Sequence, residues 1–281
     1  MVPVYEQWHL IPGLLRCLAD QSIAPAAFET ILVDNGSPDF VPPGALPSNV
    51  HLARCEQVGS YAARNHGVRC ATGDRLVFTD ADCRPQADWL QYMNAGFDEA
   101  GDLGLLAGRI EMVCEDTPCN AVQAYDLVRG IPQRWYVARG YATTANLGVS
   151  RPLFQSLDGF DAARFSGGDA DFCRRAVAGG AQLAFLEEAV VQHPARSTWS
   201  ALCNKVRRVK GGQLMAGGAR RRAVAWLRTF LPPVVAIVRF ARARDQPWRL
   251  RVVAIAVQHR LWWIEMREAI RLLRAGTPER R

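Results

Sequence analysis

Long apolar runs are missing from this sequence. A membrane-spanning helix needs about 20 consecutive apolar residues, and the best run, Thr229 to Val238, has about half that length and contains two prolines. The start, Met1 to Glu6, lacks the basic and apolar segments of a secretory signal peptide. The sequence therefore predicts a cytoplasmic protein with neither a membrane span nor a signal peptide.

Cys-x-x-Cys pairs are also missing, although the chain has eight cysteines. The spacing of Cys114 and Cys119 is loosely that of metal ligands, but no second pair matches them. Cysteines of cytosolic proteins are usually reduced. We therefore expect reduced, structural or incidental thiols.

Lysine is absent from the first 204 residues, and charge is divided unevenly along the chain. Residues 1–204 hold 15 arginines and 23 acids, a net charge of −8, whereas residues 205–281 hold 19 basic residues and 4 acids, a net charge of +15. A length of 281 residues, 49% of them hydrophobic, is enough to bury a sizeable core. We predict a catalytic body at 1–204 and a basic tail at 205–281 that meets an anionic partner.

Strand and helix patterns alternate from the start of the chain. Short apolar strands are predicted over residues 2–5, 29–33 and 51–54, and helical spacing of apolar residues over 10–18 and 61–70. Such alternation is typical of a parallel α/β sheet covered by helices.

The next predicted strand, from Leu76, ends in two carboxylates, Asp80 and Asp82. Ligands of open α/β sheets bind beyond the carboxyl ends of the strands. Two carboxylates repel each other unless a cation neutralises them, so a divalent metal with a diphosphate ligand is one interpretation. An Asp-rich turn that caps the next helix is the alternative, and Asp-x-Asp alone favours it.

Four further residues have both a structural and a functional interpretation. Asp34 either forms an Asx turn or binds a ribose or base edge, and Arg64 is either a surface cation or a phosphate or base ligand. Asp169 either caps a helix, a contribution of about 1 kcal/mol, or acts as a general base. His193 is either an ordinary surface or core histidine or an imidazole ligand of a metal at Asp82.

Together these motifs resemble the family 2 inverting glycosyltransferases with the GT-A fold. They occur in the order and spacing of that family over about residues 1–200. The residues that carry the resemblance are Pro3-Val4-Tyr5, Val33-Asp34-Asn35-Gly36-Ser37, Ala63-Arg64-Asn65-His66-Gly67, Ala71-Thr72-Gly73-Asp74, Thr79-Asp80-Ala81-Asp82, Ala145-Asn146-Leu147-Gly148-Val149, Gly159-Phe160-Asp161 and Gly168-Asp169-Ala170-Asp171 with Arg174.

The resemblance implies a GT-A fold, with a mostly parallel sheet flanked by helices and followed here by the basic helical tail. It also implies a nucleotide-sugar site. Pro3, Tyr5 and Asp34 would line the nucleotide pocket, with Asp34 near the base. Arg64 would contact base or phosphate, and Asp80 would contact ribose or metal.

The same resemblance implies a metal site and a reaction centre. Asp82 would bind Mg²⁺ or Mn²⁺ at the diphosphate, and His193 would complete the metal site. Asp169 would be the general base. Asn146 and Asp171 would shape the pocket for the sugar and the acceptor.

The implied activity moves a sugar from a UDP-, GDP- or dTDP-sugar to a hydroxyl of a saccharide or lipid-linked acceptor, as in polysaccharide, glycolipid or cell-envelope synthesis. The Gln-x-x-Arg-Trp signature of processive members is missing after Asp169, which favours transfer of one sugar per encounter. A sugar nucleotidyltransferase is disfavoured because residues 5–13 contain no Gly-rich basic loop. A non-catalytic, membrane-associated adaptor that binds a nucleotide sugar is the other alternative.

The tail has helical spacing between Arg249 and Arg274. Its apolar stripe consists of Val252, Ile255, His259, Trp262, Trp263, Met266, Ile270 and Leu273. The helix packs on the body with its arginines solvated, lies on an anionic membrane surface, or forms a dimer interface. The membrane interpretation predicts a peripheral protein on the inner face of the cell membrane. No motif for nucleic-acid binding accompanies the basic charge, so nucleic acid is not an expected partner.

Overall fold

The structure is a computed structural model that describes residues 1–38, 40, 44–114, 116–164, 166–215 and 218–275. It divides into two compact units. The α/β unit consists of Met1–Glu111, Pro132–Arg164 and Gly168–His193. The helical unit consists of Met112–Ile131, the short segment before Gly168, and the chain from Pro194 onward.

The described residues contain eight strands and eleven α-helices. The strands are β1 (Val2–Val4), β2 (Thr30–Asp34), β3 (Val50–Arg54), β4 (Arg75–Thr79), β5 (Arg84–Pro85), β6 (Leu105–Val113), β7 (Asn146–Ser150) and β8 (Leu183–Pro194). The helices are α1 (Ile11–Ala19), α2 (Ser60–Cys70), α3 (Trp89–Ala100), α4 (Ala121–Arg129), α5 (Gln133–Val137), α6 (Arg151–Ser156), α7 (Gly168–Ala178), α8 (Trp199–Met215), α9 (Ala219–Phe230), α10 (Val234–Ala241) and α11 (Trp248–Ala275).

The N-terminal strands form a parallel sheet in the order β1-β2-β3. Two backbone hydrogen bonds, from Met1 N to Val77 O (2.9 Å) and from Thr79 N to Met1 O (3.2 Å), attach β4 to it with the pattern of a parallel pair. The second sheet has the order β4-β7-β6-β8-β5, with antiparallel pairs β4–β7, β6–β7 and β5–β8. The predicted α/β fold with a parallel sheet is confirmed, and antiparallel strands extend it.

This topology places two acidic segments at one edge of the sheet. Asp34 is the last residue of β2, and Asp80 directly follows β4. Because β2 and β4 run parallel on either side of β1, their carboxyl ends point to the same edge. The sheet thus brings together carboxylates that lie 46 positions apart in sequence.

A cluster of four buried phenylalanines holds the α/β unit together beneath that edge. Phe78 of β4 packs edge-on against Phe160 with 5.2 Å between ring centroids, and Phe160 packs against Phe172 of α7 at 4.9 Å. Phe154 of α6 contacts all three rings. Since each ring is at most 5% exposed, this packing fixes α7 against the sheet.

Asn65 connects α2 to the same cluster. Its Nδ2 donates to Phe160 O (2.7 Å) and its Oδ1 accepts from Phe160 N (3.0 Å). The preceding Gly159 has φ +70°, and a Cβ there would lie 2.8 Å from Asn65 Oδ1. The Asn65 and Gly159-Phe160 motifs therefore belong to one contact between a helix and a loop.

The helical unit has its own core, built where α4 and α8 pack against α11. Asn120 caps α4 and exchanges side-chain and backbone hydrogen bonds with Gln123 in a capping box. The C-terminal part of this unit begins at Pro194, and the unit also includes Met112–Ile131. The division in the structure therefore differs from the boundary that charge alone predicts at residue 205.

The buried face of α11 is not the predicted apolar stripe. The buried residues on this helix include Ala254, Val257, Leu261, Ala269 and Leu272. In the predicted stripe, Trp263 and Leu273 are 55% and 68% exposed. The buried face also carries two paired polar residues, Gln258 with Tyr125 and Glu268 with Arg271. Small and paired polar residues lower the mean hydropathy of the buried face, so the apolar stripe that the sequence shows lies on a different face.

The prediction of reduced thiols is wrong for one pair of cysteines. Cys114 and Cys119 form a disulfide in the segment before α4. The six other cysteines are free thiols in the structure, as expected.

Candidate active site

Helix α2 carries two site residues on one face, Tyr61 and Arg64, which are three positions apart. The helix lies unusually close to the sheet because a Cβ at Gly67 would overlap the Met1 side chain and lie 2.8 Å from Val33 Cγ2. This close approach brings the buried side of α2 to the acidic edge.

Arg64 lies at the centre of that edge. It is only 4% exposed, and its Nη2 donates to Asp80 Oδ1 at 2.5 Å. Its guanidinium carbon lies 5.8 Å from the Tyr61 ring centroid. The Nε–H of Arg64 has no hydrogen-bond partner among the described residues. A buried donor without an acceptor costs about 1–3 kcal/mol, so the site is suited to a ligand that supplies one.

Beside Arg64 are four potential metal ligands whose donor atoms all lie within 4.8 Å of one another: Asp80, Asp82, Cys83 and His193. His193 Nε2 lies 3.8 Å from Asp82 Oδ2. The two carboxylates are partly exposed, whereas the thiol and the imidazole are buried. Carboxylate oxygens suit Mg²⁺ and Mn²⁺, so this donor set fits such an ion.

Cys83 is the unexpected member of this group. Burial, reinforced by the negative charges of Asp80 and Asp82, raises the pKa of its thiol well above the ordinary value. The Sγ also faces Ala145 O at 3.8 Å. A protonated thiol is a poor ligand compared with the neighbouring carboxylates.

Asp169 lies in the first turn of α7 and contacts α2. Its Oδ1 accepts from Ala170 N (2.8 Å) and from the Tyr61 hydroxyl (3.3 Å). Burial raises the pKa of this carboxyl, and the Ala170 hydrogen bond and the Arg64 charge partly oppose the shift. A Cβ at Gly168 would lie 2.6 Å from the Tyr61 ring, so glycine is required for this approach.

Tyr61 thus connects Asp169 on α7 with the ion pair of Arg64 and Asp80. Its hydroxyl contacts Asp169, its ring lies beside Arg64, and Arg64 pairs with Asp80. The residues predicted for metal, phosphate and base chemistry therefore belong to one connected set within the α/β unit.

Asp34 lies fully buried at the same edge of the sheet. It accepts hydrogen bonds from Trp8 Nε1 (3.0 Å) and from the backbone N–H groups of Gly36 (3.1 Å) and Ser37 (3.3 Å). These contacts are those of an Asx turn. Pro3 and Tyr5, at and just after β1, are both partly buried.

Asn146 is placed differently from the expectation of a sugar contact. It is fully buried; its Nδ2 donates to Arg109 O (2.9 Å) and Ala189 O (2.8 Å), and its Oδ1 accepts from Trp89 Nε1 (2.8 Å). The side chain thus connects β6, β8 and α3. With no exposed surface it cannot touch an acceptor in this structure, and its role is to brace the sheet.

Asp171 is likewise engaged within the fold. Its carboxylate pairs with Arg164 Nη2 (2.8 Å) and Arg175 Nε (3.0 Å). Arg175 also donates to the carbonyls of Leu157 and Gly159. These contacts fix the loop before α7. Asp171 therefore helps to place Asp169, and its carboxylate is engaged by two arginines instead of being free to bind a ligand.

Comparisons with known proteins give the family. The sequence model described as "Glycosyl transferase family 2" matches residues 1–157, more than half of the chain. Glycosyltransferase AglE of Haloferax volcanii is 30% identical over 221 residues, which cover 76% of this chain and 72% of AglE. The chain belongs to glycosyl transferase family 2.

Further similarities extend to part of another enzyme and to solved structures. A pre-mycofactocin glycosyltransferase of Mycobacterium tuberculosis is 30% identical over 181 residues, which are 59% of this chain but only 37% of that protein. The mannosyltransferase PcManGT from Pyrobaculum calidifontis, solved with GDP-Man and Mn²⁺, has a TM-score of 0.59 at 16% identity and covers 97% of this chain and 85% of its own.

A fragment of S. aureus TarS with UDP-GlcNAc has a TM-score of 0.54 at 16% identity, covering 98% of this chain and 91% of that one. At such identities the similarity concerns the fold alone. The fold of this family 2 glycosyltransferase is GT-A.

Besides Cys83, two residues of the glycosyltransferase site were missed by the sequence interpretation. Tyr61 could have been found from its spacing of three positions before Arg64 on a predicted helix. Trp8, the donor to Asp34, lies in a segment with no strong periodicity, and its contact depends on how the chain after β1 folds back over β2.

The bracing position of Asn146 predicts a loss of stability. Replacing it with alanine removes one hydrogen bond from the Trp89 N–H and one from each of two backbone carbonyls, and we expect Asn146→Ala to lower the unfolding free energy by about 2–4 kcal/mol. Urea denaturation followed by circular dichroism measures this. Unchanged stability together with weaker acceptor use would instead restore the sugar-contact role.

The raised pKa of Asp169 predicts a pH-dependent effect on stability. The folded carboxyl holds its proton at higher pH than the unfolded one, whose ordinary pKa is 3.8. The fold is therefore favoured at low pH and penalised as pH rises through the folded pKa. Because asparagine does not ionise, the melting midpoint of Asp169→Asn minus that of the wild type should be larger at pH 7 than at pH 4. An equal difference at both pH values would contradict the raised pKa.

Proposed function

We propose that this glycosyltransferase is inverting and metal-dependent, and that it transfers one sugar from a nucleotide-diphosphate sugar to a hydroxyl of a saccharide or lipid-linked acceptor. The observation that carries the proposal is the connected set of Asp169, Tyr61, Arg64 and Asp80, with Asp82 and His193 beside it. A base and a diphosphate site next to each other are what a single displacement requires.

The donor half of the site would hold the nucleotide diphosphate. Asp80, Asp82 and His193 supply ligands suitable for Mg²⁺ or Mn²⁺. When bound, such an ion neutralises the negative charge that develops on the diphosphate leaving group. The free Nε–H of Arg64 supplies a charged donor to a phosphate oxygen. The GDP-Man and Mn²⁺ present in the PcManGT complex support this assignment by similarity of fold.

The nucleoside would lie towards β1 and β2. Asp34 ends β2 at the same edge, and Pro3 and Tyr5 lie alongside it on the neighbouring strand and just beyond. In this proposal Pro3 and Tyr5 line the pocket for base and ribose, and the fully buried Asp34 shapes that pocket through the turn that its carboxylate fixes. The Trp8 hydrogen bond holds the Asp34 carboxylate in place.

Asp169 would take the proton from the acceptor hydroxyl as that oxygen attacks the anomeric carbon. Burial raises the pKa of Asp169 above its ordinary value, which strengthens it as a base. The Tyr61 hydroxyl and the Ala170 N–H hold its Oδ1 in one orientation. Attack opposite the departing diphosphate inverts the configuration, and no covalent intermediate on the enzyme is required.

Transfer of one sugar at a time rests on the sequence. No Gln-x-x-Arg-Trp segment follows Asp169. Gln133-Arg134-Trp135 is contiguous and precedes the proposed base, and Gln133 is buried, with its amide bonded to Thr143 and Asn146. Gln133 thus serves the fold, which leaves no candidate for that signature among the described residues.

The metal site predicts that Asp82→Asn loses the metal-dependent part of donor binding. We expect the affinity for UDP, GDP or dTDP in the presence of Mn²⁺ to fall by at least about tenfold, because a neutral amide is a weak ligand for a hard cation. Isothermal titration calorimetry with and without Mn²⁺ measures the effect. Asp20→Asn, which removes an exposed acid at the end of α1, is the matched control. Wild-type affinity in Asp82→Asn would remove Asp82 from the metal site.

The base assignment predicts that Asp169→Asn keeps the donor affinity but loses transfer. Removing a general base typically costs about 10²–10⁴-fold in rate. The assay is release of nucleoside diphosphate from the matching sugar nucleotide in the presence of saccharide and lipid-linked acceptors. Asp20→Asn, the exposed acid at the end of α1, again serves as the control. A fully active Asp169→Asn would refute the base role, and a wild type that binds the donor but never turns it over would identify an adaptor.

A further inference from the structure

Exposed apolar side chains are concentrated in the helical unit. Of the nineteen large apolar side chains that are exposed among the described residues, thirteen follow residue 194. They are Met215, Val224, Leu227, Phe230, Leu231, Val234, Val235, Val238, Trp248, Val252, Trp263, Ile270 and Leu273. A concentration of exposed apolar side chains in one unit is a feature of interaction sites.

The densest part of this surface lies where α9 meets α10, at Phe230 to Val235. We call this segment the α9–α10 corner. Leu231, Val234 and Val235 are 54%, 57% and 86% exposed, and the last turns of α9 add Leu227 at 66%. Pro232 and Pro233 separate the two helices, which meet at 68°. The apolar side chains thus project from a bend in the chain.

The corner is held in place by α11. Trp262 Nε1 donates to Thr229 O at 2.9 Å, and the Thr229 hydroxyl donates back to Ala225 O at 2.8 Å. Thr229 is 1% exposed, in contrast to its neighbours. The end of α9 is therefore packed into the helical unit. The apolar side chains beside it are exposed although the backbone that carries them is held by these contacts.

The charged residues of the chain segment that contains the α9–α10 corner are all positive. No acid occurs between Glu188 and Asp245, whereas residues 205–244 contain eleven lysines and arginines. The exposed arginines on α9 and α10 and just after them include Arg220, Arg222, Arg228, Arg239 and Arg242. Apolar side chains interleaved with arginines complement an anionic lipid surface, where headgroups and the acyl boundary lie within a few ångströms.

The geometry favours lying on a bilayer over crossing it. Among the described residues no single helix has both the length and the hydropathy of a membrane span, whereas Arg222–Phe230 with Val234–Ala241 meets both as a bent pair, by length and composition only. That pair contains Arg228 and Arg239 in addition to its first residue. A spanning arrangement would place these charges in hydrocarbon at a cost of about 2.5–3.5 kcal/mol for each one near its centre.

We propose that α9, the α9–α10 corner and α10 form a docking surface for an anionic lipid bilayer. The side chains of Leu231, Val234 and Val235 enter the boundary between headgroups and acyl chains, and the flanking arginines contact the headgroups. This surface makes the protein peripheral on an anionic membrane face. The proposal depends only on the helical unit and holds whether or not the proposed transfer reaction is correct.

The test is co-sedimentation of the full chain with vesicles of phosphatidylcholine alone or mixed with phosphatidylglycerol. We expect binding to the anionic vesicles, weakening with added salt, and release by alkaline carbonate. Val234→Asp with Val235→Asp should reduce the partition coefficient by at least about tenfold. Arg220→Gln, Arg222→Gln and Arg228→Gln together should reduce it about fivefold for each arginine removed.

A matched control carries the same charge change outside this surface. Leu103→Asp with Val177→Asp alters two side chains of the α/β unit that are 52% and 40% exposed, and it should bind vesicles like the wild type. Circular dichroism of each variant reports the fold.

Four results would each overturn the proposal. The first is a wild type that stays in solution with anionic vesicles, and the second is a Val234→Asp/Val235→Asp variant that binds these vesicles normally. The third is wild-type protein that stays bound to vesicles in alkaline carbonate, which would indicate that α9 and α10 span the membrane. The fourth, measured by light scattering without lipid, is a stable wild-type dimer that the same variant dissociates, which would assign the surface to a second copy of the chain.

Discussion

The ion pair between the buried Arg64 and the partly exposed Asp80 is the interaction on which the site depends. A guanidinium that is 4% exposed must be compensated by nearby carboxylates. Arg64 pairs directly with Asp80, and its charge also opposes the upward shift of the Asp169 pKa. One cation thus stabilises acidic groups from two separate segments. If it were removed, the repulsion between Asp80 and Asp82 would lose a compensating positive charge.

The backbone explains why Arg64 can reach that position. Gly67 lets α2 lie against the parallel strands, and the Asn65 amide ties the same helix to Phe160 in the aromatic cluster. That cluster also holds α7, whose first turn carries Asp169. The distance between the acidic edge and the proposed base is therefore set by rigid packing rather than by the intervening loops. Such rigidity suits a reaction in which the acceptor oxygen and the diphosphate must lie on opposite faces of one sugar.

Much of this arrangement could be predicted from the sequence. The alternation of strands and helices gave the parallel sheet, and the carboxyl ends of strands gave Asp34, Asp80 and Asp82, because both features follow from local periodicity. Long-range contacts could not be predicted in this way. Asn146 has the same sequence signature whether it faces a sugar or braces three elements, and only the positions of Trp89 and the neighbouring carbonyls decide between them.

In the basic tail, too, the sequence predicted composition but not long-range contacts. Its positive charge is a property of composition and was evident at once. Which face of α11 is buried depends on paired polar residues such as Gln258 and on small ones such as Ala254, and a hydropathy pattern ranks both below the exposed Trp263. The bend at Pro232 and Pro233 then places the most exposed apolar residues on a segment that the helical pattern of α11 did not include.

The most direct test of the donor site is a thermal-shift measurement on the wild-type protein with UDP, GDP and dTDP and their sugar nucleotides, each with and without Mn²⁺. A ligand that binds only the folded state stabilises it by about 2.7 kcal/mol at 100 times its Kd. We expect the nucleotides of one base to raise the melting midpoint by several degrees, and to do so only with Mn²⁺. A folded protein whose midpoint does not move with any of them would contradict a nucleotide-diphosphate site at Arg64, Asp80 and Asp82.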